Sequence, residues 1–418
     1  MTGGALYLYD DQQARTFEPF ASTRPVSEMV AGVALIRERW TLALGLSGGT
    51  FFLAGNRHAA FDEPNAPHAA TGLIPAGSII VNARCAPLIP SEISRAGQRA
   101  AACSLWRSGN RLAAVRTREP MDAAAFADGS LGLDGLQVGT GAVGDVRGWW
   151  LDEVWDFIRL LPEQLASDIA QFAKQPAAVS SAHPPAHVIQ LGTHRIILED
   201  VALEPQVVLD ASDGPIMIRR GTHVRAFTRI TGPCYIGKDV NVMGGEITGC
   251  SIGDVSKVRG ELSSTVFIGH SNKGHDGFVG HSYLGRWVNL GAGTITSNLK
   301  NTYGAVSLWT PSGMRDTGMQ FLGTMFGDHV KTGIGVRLTT GTVLGAGANV
   351  FGEIPPKAVA PFSWGSGTPY SVYRADKFVE TAARMMARRH VELTDGARRH
   401  LTSVHAGRWT VDAETDAT

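Results

Sequence analysis

Residues of buried type recur every six positions late in the chain, and this period constrains the fold more than any other feature. Phe326, Thr332, Leu338, Leu344 and Val350 are spaced six apart, and a glycine follows the first, second and fourth of them. Such a period is typical of a β-helix, in which three short strands make one triangular coil of about 18 residues. Glycine suits the corners, where φ is positive or a side chain would clash. We therefore predict a left-handed parallel β-helix of hexapeptide repeats.

Glycine usage extends this prediction toward the middle of the chain. The 418 residues include 50 glycines, concentrated between residues 230 and 370. Aliphatic–glycine pairs also begin at Ile236, Ile252, Ile268, Val279 and Leu284. The segment 297–318 breaks the period, which predicts a loop that projects from the coil. We assign residues 186–369 to the β-helix domain.

The preceding part of the chain has the pattern of an α/β domain, over residues 1–185. GALYLY at 4–9 predicts a buried strand, and short apolar runs alternate with helical patterns further on. A helix is predicted after Thr23 and Pro25, with apolar positions at Val26, Met29, Val30, Val33 and Ile36. Segment 148–173 predicts one helix or a helix pair, and 174–188 a linker. Residues 370–418 predict a helical tail that covers the open end of the β-helix.

Composition narrows the functional classes. Lys+Arg and Asp+Glu both number 38, so no net charge steers the molecule toward nucleic acid or an anionic membrane. The four cysteines are scattered without a CxxC pair, which argues against a disulfide framework or zinc knuckle. No run of about 18 apolar residues predicts a membrane span, and the first residues lack the pattern of a signal peptide. We expect a cytoplasmic protein.

One stretch of the repeat region carries more polar chemistry than a scaffold needs. GHDGFVGHSYLGRWVNLGAGTITSNL, 274–299, contains His275, Asn289 and Asn298. Their separations, compared with a coil of about 18 residues, indicate a local polar cluster on adjacent coils.

The stretch from Lys273 to Asn298 resembles the acetyltransferase region of the bifunctional N-acetylglucosamine-1-phosphate uridylyltransferases/glucosamine-1-phosphate acetyltransferases. Their form KxGHxxYxG…xVNIGAGTIxxN aligns with it without gaps. Together with STRPVSEMVAGVALIRERW near the start, it is similar to a divergent bacterial branch of sugar nucleotidyltransferase/acetyltransferases. The resemblance implies a nucleotidyltransferase-like domain followed by a left-handed β-helix, in a homotrimer with active sites between neighbouring chains.

The resemblance also implies residue roles in acetyl transfer to an amino-sugar phosphate. His275 matches the base that takes a proton from the sugar amine, a role that suits imidazole. Asn289 matches a contact to the sugar phosphate, and Ala292 and Asn298 match positions beside acetyl-CoA. A backbone N–H there would stabilise the oxyanion, and this transfer requires no metal.

The chain departs from the family pattern at positions that contact substrate. A family tyrosine is Phe278 here, a family lysine twelve residues before the base is Ser263, and the loop 297–318 is longer. Lys273, Arg286 and Lys300 are candidate replacement cations, although each could equally be a solvated surface charge. These departures bear on which sugar is the acceptor.

The first domain lacks the GxGTR loop with which sugar nucleotidyltransferases hold a nucleoside triphosphate. DDQQARTFEPFASTRP stands there instead. Arg15 and Arg24 are candidates to meet phosphates, and Asp10 and Asp11 to hold Mg²⁺. For each residue taken singly the structural alternative is favoured: the aspartates end a strand, and Arg24 caps a helix.

Two other functions remain open at this level. Trimeric β-helix carbonic anhydrases bind zinc through a close histidine pair and an upstream histidine, and this chain has His270, His275 and His281. The upstream ligand position holds Tyr235, however. The other alternative is a non-catalytic trimeric assembly protein.

Overall fold

The computed structural model describes residues 4–174, 184–352 and 354–411. The chain forms two compact units. The first comprises Met1–Phe17, Ala21–Val154 and Thr394–Val404, and the second comprises Glu18–Phe20, Trp155–Leu393 and His405–Thr418. This division differs from the predicted boundaries at 185 and 369. Part of the predicted linker, 175–183, lies outside the described residues.

The first unit is built on a seven-stranded mixed sheet. In spatial order its strands are Ala142–Asp145, Cys103–Ser108, Arg111–Arg116, Ile79–Asn82, Leu6–Tyr9, Thr50–Leu53 and His68–Ala69. The predicted opening strand lies near its centre, parallel to both neighbours. Both this strand and Ile79–Asn82 are buried along their whole length, as strands covered on both faces are.

Short paired strands and helices surround this sheet. The pairs are Val30–Ala31 with Ala34–Leu35, Leu73–Ile74 with Met121–Asp122, and Cys85–Pro87 with Gly148–Trp150. The α-helices are Ile36–Leu44 and Ile93–Ala101, and the 3₁₀ helices are Ala14–Thr16, Val26–Glu28, Asn56–His58, Ala123–Phe126 and Leu133–Gly135. A Cβ at Gly45, where φ is +60°, would lie 2.5 Å from the Gly97 nitrogen, so the two α-helices cross where only glycine fits.

The helix predicted after Thr23 is wrong. That segment forms the 3₁₀ turn Val26–Glu28 and then the Val30–Ala31/Ala34–Leu35 hairpin, and the α-helix begins only at Ile36. The whole segment is buried, so its apolar residues do not need the one-sided spacing of a surface helix.

The second unit contains a parallel β-helix with three faces. The first face contains Ile196–Leu198, Ile216–Ile218, Cys234–Ile236, Ser251–Ile252, Val266–Phe267, Tyr283–Leu284, Met325–Phe326, Val343–Leu344 and Ala358–Val359. The second contains Ala202–Leu203, His223–Val224, 241–242, 257–258, Asn272–Lys273, Lys331–Thr332, Asn349–Val350 and Ser363–Gly365. The third contains Ile189–Gly192, Val208–Ala211, Thr228–Thr231, 245–248, 260–263, Phe278–Gly280, Ile295–Thr296 and Arg337–Leu338.

The six-residue period predicted from the sequence is confirmed by burial. Phe326 and Leu344 lie on the first face, Thr332 and Val350 on the second, and Leu338 on the third, all pointing into the buried interior. One coil therefore places one buried side chain on each face. Cys234 and Cys250 lie in this interior as free thiols, and burial raises the pKa of Cys250 to about 12.

One coil carries the predicted loop. On the first face Tyr283 pairs with Met325, because the chain leaves the coil after the third face and returns before the first. The excursion contains the hairpin Ser307–Thr310/Gly313–Asp316. The parallel pairing resumes directly after it, so the insertion interrupts the sequence period without interrupting the stack.

Helices lie against the outside of the β-helix. The pair Asp156–Arg159 and Leu161–Phe172 covers the first face, where Phe157 contacts Tyr283 at 5.2 Å between ring centroids. The helix Ala375–Ala387 runs along the edge between the first and second faces, and its Phe378 packs on His329 and Phe362. The predicted tail helix therefore lies along an edge of the prism, whereas an end cap was expected. The last helix, Asp395–Ala406, packs mostly in the first unit.

Among the helices of the described ranges, none is long and apolar enough to cross a membrane.

A buried histidine makes the stability of the first unit depend on pH. His58 is 3% exposed, and its ring lies 5.9 Å from that of His400. Burial, with the nearby His400, lowers the pKa of His58 well below 6.5. Below pH 6.5, His58 is therefore protonated in the unfolded chain but stays neutral in the folded unit. The free energy of unfolding falls for this reason as the pH drops from 7 to 5.

We predict that His58→Phe flattens this pH dependence, because phenylalanine cannot take up the proton. Chemical denaturation followed at pH 5, 6, 7 and 8 measures the slope. His68→Phe, at an exposed position, is the matched control and should keep the wild-type slope. An equal slope in the wild type and His58→Phe contradicts the assignment.

Candidate functional site

A row of polar side chains runs along the outside of the second face. Strand register stacks its members on successive coils: His223, Asn241, Lys257, Asn272, Asn289, Lys331, Asn349 and Trp364. We call this the second-face row. It contains hydrogen-bond donors throughout and no carboxylate, which makes it a surface suited to oxygen-rich or anionic groups.

Asn289 is fixed within this row by its neighbour. Asn272 Nδ2 donates to Asn289 Oδ1 at 2.9 Å. Asn289 is half-buried, and its own amide NH₂ remains directed away from Asn272. The predicted substrate contact is therefore held in place with donor capacity left over.

The second face ends at an edge that contains His275. Asn272 pairs with Asn289, 17 residues later, and the Gly293 N–H donates to the Asp276 carbonyl at the same separation. His275 and Ala292 lie between these two pairs, so they are neighbours on adjacent coils. We call the boundary between the second and third faces the His275 edge. The structure thus brings together His275, Ala292 and, three residues earlier, Asn289.

The His275 side chain is exposed, and no hydrogen bond holds its ring within the described residues. Large apolar side chains are exposed along the same edge: Phe227 is 76% exposed, Ile334 84% and Phe351 46%. Three large apolar groups in line with the candidate base indicate a surface that another molecule covers.

Lys273, predicted as a candidate cation for substrate, does not reach solvent. It is 2% exposed, and its ammonium donates to the carbonyl oxygens of Arg259, at 2.9 Å, and His275. Burial lowers the pKa of Lys273 to about 8, with Asp276 opposing the shift. It occupies the inward position paired with Val258. The residue therefore fixes the main chain at His275 and is not available to substrate.

The other predicted residues lie at different edges. Asn298 follows the third face, and its Nδ2 lies 2.9 Å from His281 Nδ1, while the His281 ring stacks on Phe321. Burial lowers the pKa of His281. Lys300 lies near Lys357 at this edge. Arg286 lies at the edge between the first and second faces, where its N–H donates to Asp328. Within one chain, none of the three joins His275.

The zinc alternative does not gain support from a single chain. His270, His275 and His281 lie at three different edges of the prism, and His270 packs on Trp287 at 4.4 Å. The described residues contain no group of three His, Cys, Asp or Glu side chains that could hold a metal ion.

In the first unit, Asp11 is already neutralised by an arginine. Arg84 donates to both its carboxylate oxygens at 2.8 Å, and Asn82 also donates to it. Burial raises the pKa of Asp11, but the Arg84 hydrogen bonds and charge outweigh it, and the pKa is lowered. The carboxylate is therefore held by protein donors.

Asp10 is buried and accepts a hydrogen bond from the Val26 N–H at 3.0 Å. Burial raises its pKa to about 7. With Asp11 bound by Arg84, the pair does not form the cluster of charged carboxylates that Mg²⁺ prefers. The expected magnesium ligands therefore do not fit the ion in this arrangement.

Arg15 and Arg24 are likewise engaged by the protein. The Arg15 guanidinium donates to the carbonyls of Asp10, Phe126 and Ala127. Arg24 is 1% exposed and pairs with Glu63 at 2.8 Å. Both arginines hold loops together, so the expectation of free phosphate-binding cations at these positions is not met.

A cavity of about 270 Å³ opens elsewhere in the first unit. It lies at the carboxyl ends of the parallel strands Thr50–Leu53 and His68–Ala69, and Ala54, Gly55, Ala70 and Gly72 help to line it. Ligands of open α/β sheets bind at the carboxyl ends of strands. No sequence motif predicted this cavity, because its walls are mostly small side chains and backbone.

Asn272 and Lys331 are functional candidates that the sequence reasoning missed. Asn272 lies one coil before Asn289, and coil counting could have found it. Lys331 pairs with Asn289 across the inserted loop, where the sequence separation no longer equals one coil.

We predict that Lys273→Met loosens the main chain at His275 without unfolding the β-helix. Methionine fills the buried space, but the carbonyls of Arg259 and His275 lose their donor, a loss of about 1–3 kcal/mol in local stability. Hydrogen exchange of 272–280 should accelerate. Lys257→Met, which removes an outward lysine on the preceding coil, is the control. Unchanged exchange in a folded Lys273→Met protein contradicts the assigned role.

Sequence comparisons find one family model and several curated relatives. Residues 6–176 match the family model described as sugar nucleotidyl transferase. A bifunctional sugar-1-phosphate nucleotidylyltransferase/acetyltransferase of Sulfurisphaera tokodaii is 32% identical over 112 residues, 27% of each chain. The bifunctional protein GlmU of Carboxydothermus hydrogenoformans is 26% identical over 196 residues, 41% of this chain and 40% of that one.

A third relative, GlmU of Jannaschia sp., is 30% identical over 139 residues, 31% of this chain and 29% of that one. The matches to these three relatives span only 27% to 40% of the relatives' length. Residues 6–176 are therefore similar to the sugar nucleotidyl transferase family, and the chain is similar, over part of their length, to bifunctional sugar-1-phosphate nucleotidylyltransferase/acetyltransferases.

Proposed function

We propose that the β-helix transfers an acetyl group from acetyl-CoA to the amine of an amino-sugar 1-phosphate of the glucosamine-1-phosphate type. One observation carries the proposal: His275 and Ala292 are neighbours on adjacent coils at the His275 edge, beside the held Asn289. These are the residue types that the resemblance assigns to base, acetyl-CoA contact and sugar contact. The similarity to bifunctional nucleotidylyltransferase/acetyltransferases supports the same reaction class.

In this mechanism the His275 imidazole takes the proton from the sugar nitrogen. The nitrogen forms a bond to the thioester carbonyl carbon, the C–S bond breaks, and the thiolate of CoA leaves and is protonated. Neutral imidazole is suited to this step near pH 7. Backbone N–H groups near Ala292 are the candidate donors to the oxyanion.

A homotrimer of left-handed prisms would complete the site. In one chain Asn298, Lys300 and Arg286 lie at edges away from His275, and the His275 edge exposes Phe227, Ile334 and Phe351. A neighbouring copy packed on that edge would cover these side chains, exclude water from His275 and bring another edge close to it. This arrangement is consistent with a His275 ring that has no hydrogen-bond partner among the described residues of its own chain.

For the first unit we propose nucleoside triphosphate binding in the 270 Å³ cavity, as part of activating the sugar phosphate to a nucleotide sugar. The match to the sugar nucleotidyl transferase family supports this assignment. The four buried free thiols suit a reducing cytoplasm. The nucleotide sugar formed in this way would be a precursor for the cell envelope.

We predict that His275→Ala slows acetyl transfer to glucosamine-1-phosphate about 10²- to 10⁴-fold, because the general base is lost. Release of free thiol from acetyl-CoA measures the rate. His194→Ala, at an exposed position on an early coil, should keep the wild-type rate. Equal rates for the wild type and His275→Ala would exclude His275 as the base.

We predict that Ala70→Trp abolishes nucleotide binding by filling the cavity, while the fold is retained because Ala70 is only half-buried. Titration calorimetry with UTP and dTTP measures binding. Ala66→Trp, which precedes the strand His68–Ala69 and lies outside the cavity wall, is the control. If neither nucleotide binds the wild type, or if Ala70→Trp binds as tightly, the assignment of the cavity fails.

A further inference from the structure

The third face is a poor place for a phosphate in this chain. Its outer positions include Glu246 and Glu261, which are exposed and directly paired in register. Ser263 stands there where the resemblance leads one to expect a lysine. Around Glu246 and Glu261 the two adjacent carboxylates repel an anionic group, and Ser263 supplies no cation to offset them.

The second-face row offers the opposite chemistry. Asn289 pairs in register with Lys331, so the two side chains lie on adjacent coils, about 5 Å apart along the stack. Asn289 Oδ1 is engaged by Asn272, which leaves its NH₂ as a donor. Both neighbours can therefore donate to one oxygen-rich group.

Lys331 has contacts that hold its ammonium but do not neutralise it. Its Nζ donates to the His329 carbonyl at 3.2 Å and lies 3.4 Å from Met385 Sδ on the helix Ala375–Ala387. No carboxylate lies within ion-pairing distance of it among the described residues. Burial lowers the pKa of Lys331 to about 8. A partly buried cation in this position gains stability when an anion arrives.

We propose that Lys331 supplies the cation for the acceptor phosphate on the second face, beside the contact that the resemblance already assigns to Asn289. This inference rests on the proposed acyl transfer and adds the residue that selects a phosphorylated acceptor. Asn289 is three residues from Ala292, roughly 10 Å along the chain. A sugar ring lying between them places its phosphate on the second face and its amine near the His275 edge.

The test compares acceptors with and without phosphate. In Lys331→Met the KM for glucosamine-1-phosphate should rise about 10- to 100-fold, the range for losing one charge-assisted hydrogen bond. The KM values for acetyl-CoA and for unphosphorylated glucosamine should not change. Lys331→Arg should restore much of the affinity, and Lys377→Met, at an exposed position of the helix Ala375–Ala387 outside the second-face row, should behave as wild type.

Direct binding separates this inference from the proposed function. Sulfate keeps its charge between pH 6 and 9, so its affinity for the wild type should fall from pH 7 to pH 9 as Lys331 loses its proton. Lys331→Met should bind sulfate weakly at both pH values. If the wild type transfers no acetyl group but shows this sulfate binding, the proposed function fails and the anion subsite stands. If acetyl transfer occurs while Lys331→Met keeps the wild-type KM and sulfate affinity, the inference is overturned.

Discussion

Stacking of each coil on the next, in register, determines where every functional side chain of the β-helix lies. Backbone hydrogen bonds join equivalent positions, and the inward aliphatic side chains of one coil pack on those of the next. A residue's face and edge therefore follow from its position within its coil. Asn272, Asn289 and Lys331 form one polar line for this reason, although the last is separated from the others by an inserted loop.

The outer faces of the prism differ in how much of them is covered. A helix pair covers the first face, and another helix lies along the edge beside it. The His275 edge keeps exposed apolar groups. On the coils of Glu246 and Glu261 the third face presents paired carboxylates, whereas the second-face row presents hydrogen-bond donors. A ligand crossing the edge would therefore be oriented by its charge.

Sequence reasoning was sufficient where one physical rule dominated. The six-residue period identified the buried positions because each inward residue must pack on the coil below. It failed for residues 23–36, because complete burial removed the contrast between apolar and polar helix faces. It also failed for Lys273, because a periodic pattern does not show that an ammonium group donates to main-chain carbonyls of its own coil region. Asp11 and Arg24 were expected to be available to ligands, but their partners Arg84 and Glu63 are distant in sequence and carry no local motif.

The inward position of the thiols has a practical consequence for measurement. All four cysteines are buried in the native protein, and Cys234 and Cys250 lie inside the prism. A chromogenic disulfide reagent added to the folded protein should therefore report CoA released in the proposed acetyl transfer with little background from the polypeptide. Without substrate, the rate at which the same reagent labels the protein measures how often the coils separate. Cys234 and Cys250 become reactive only when neighbouring coils lose contact.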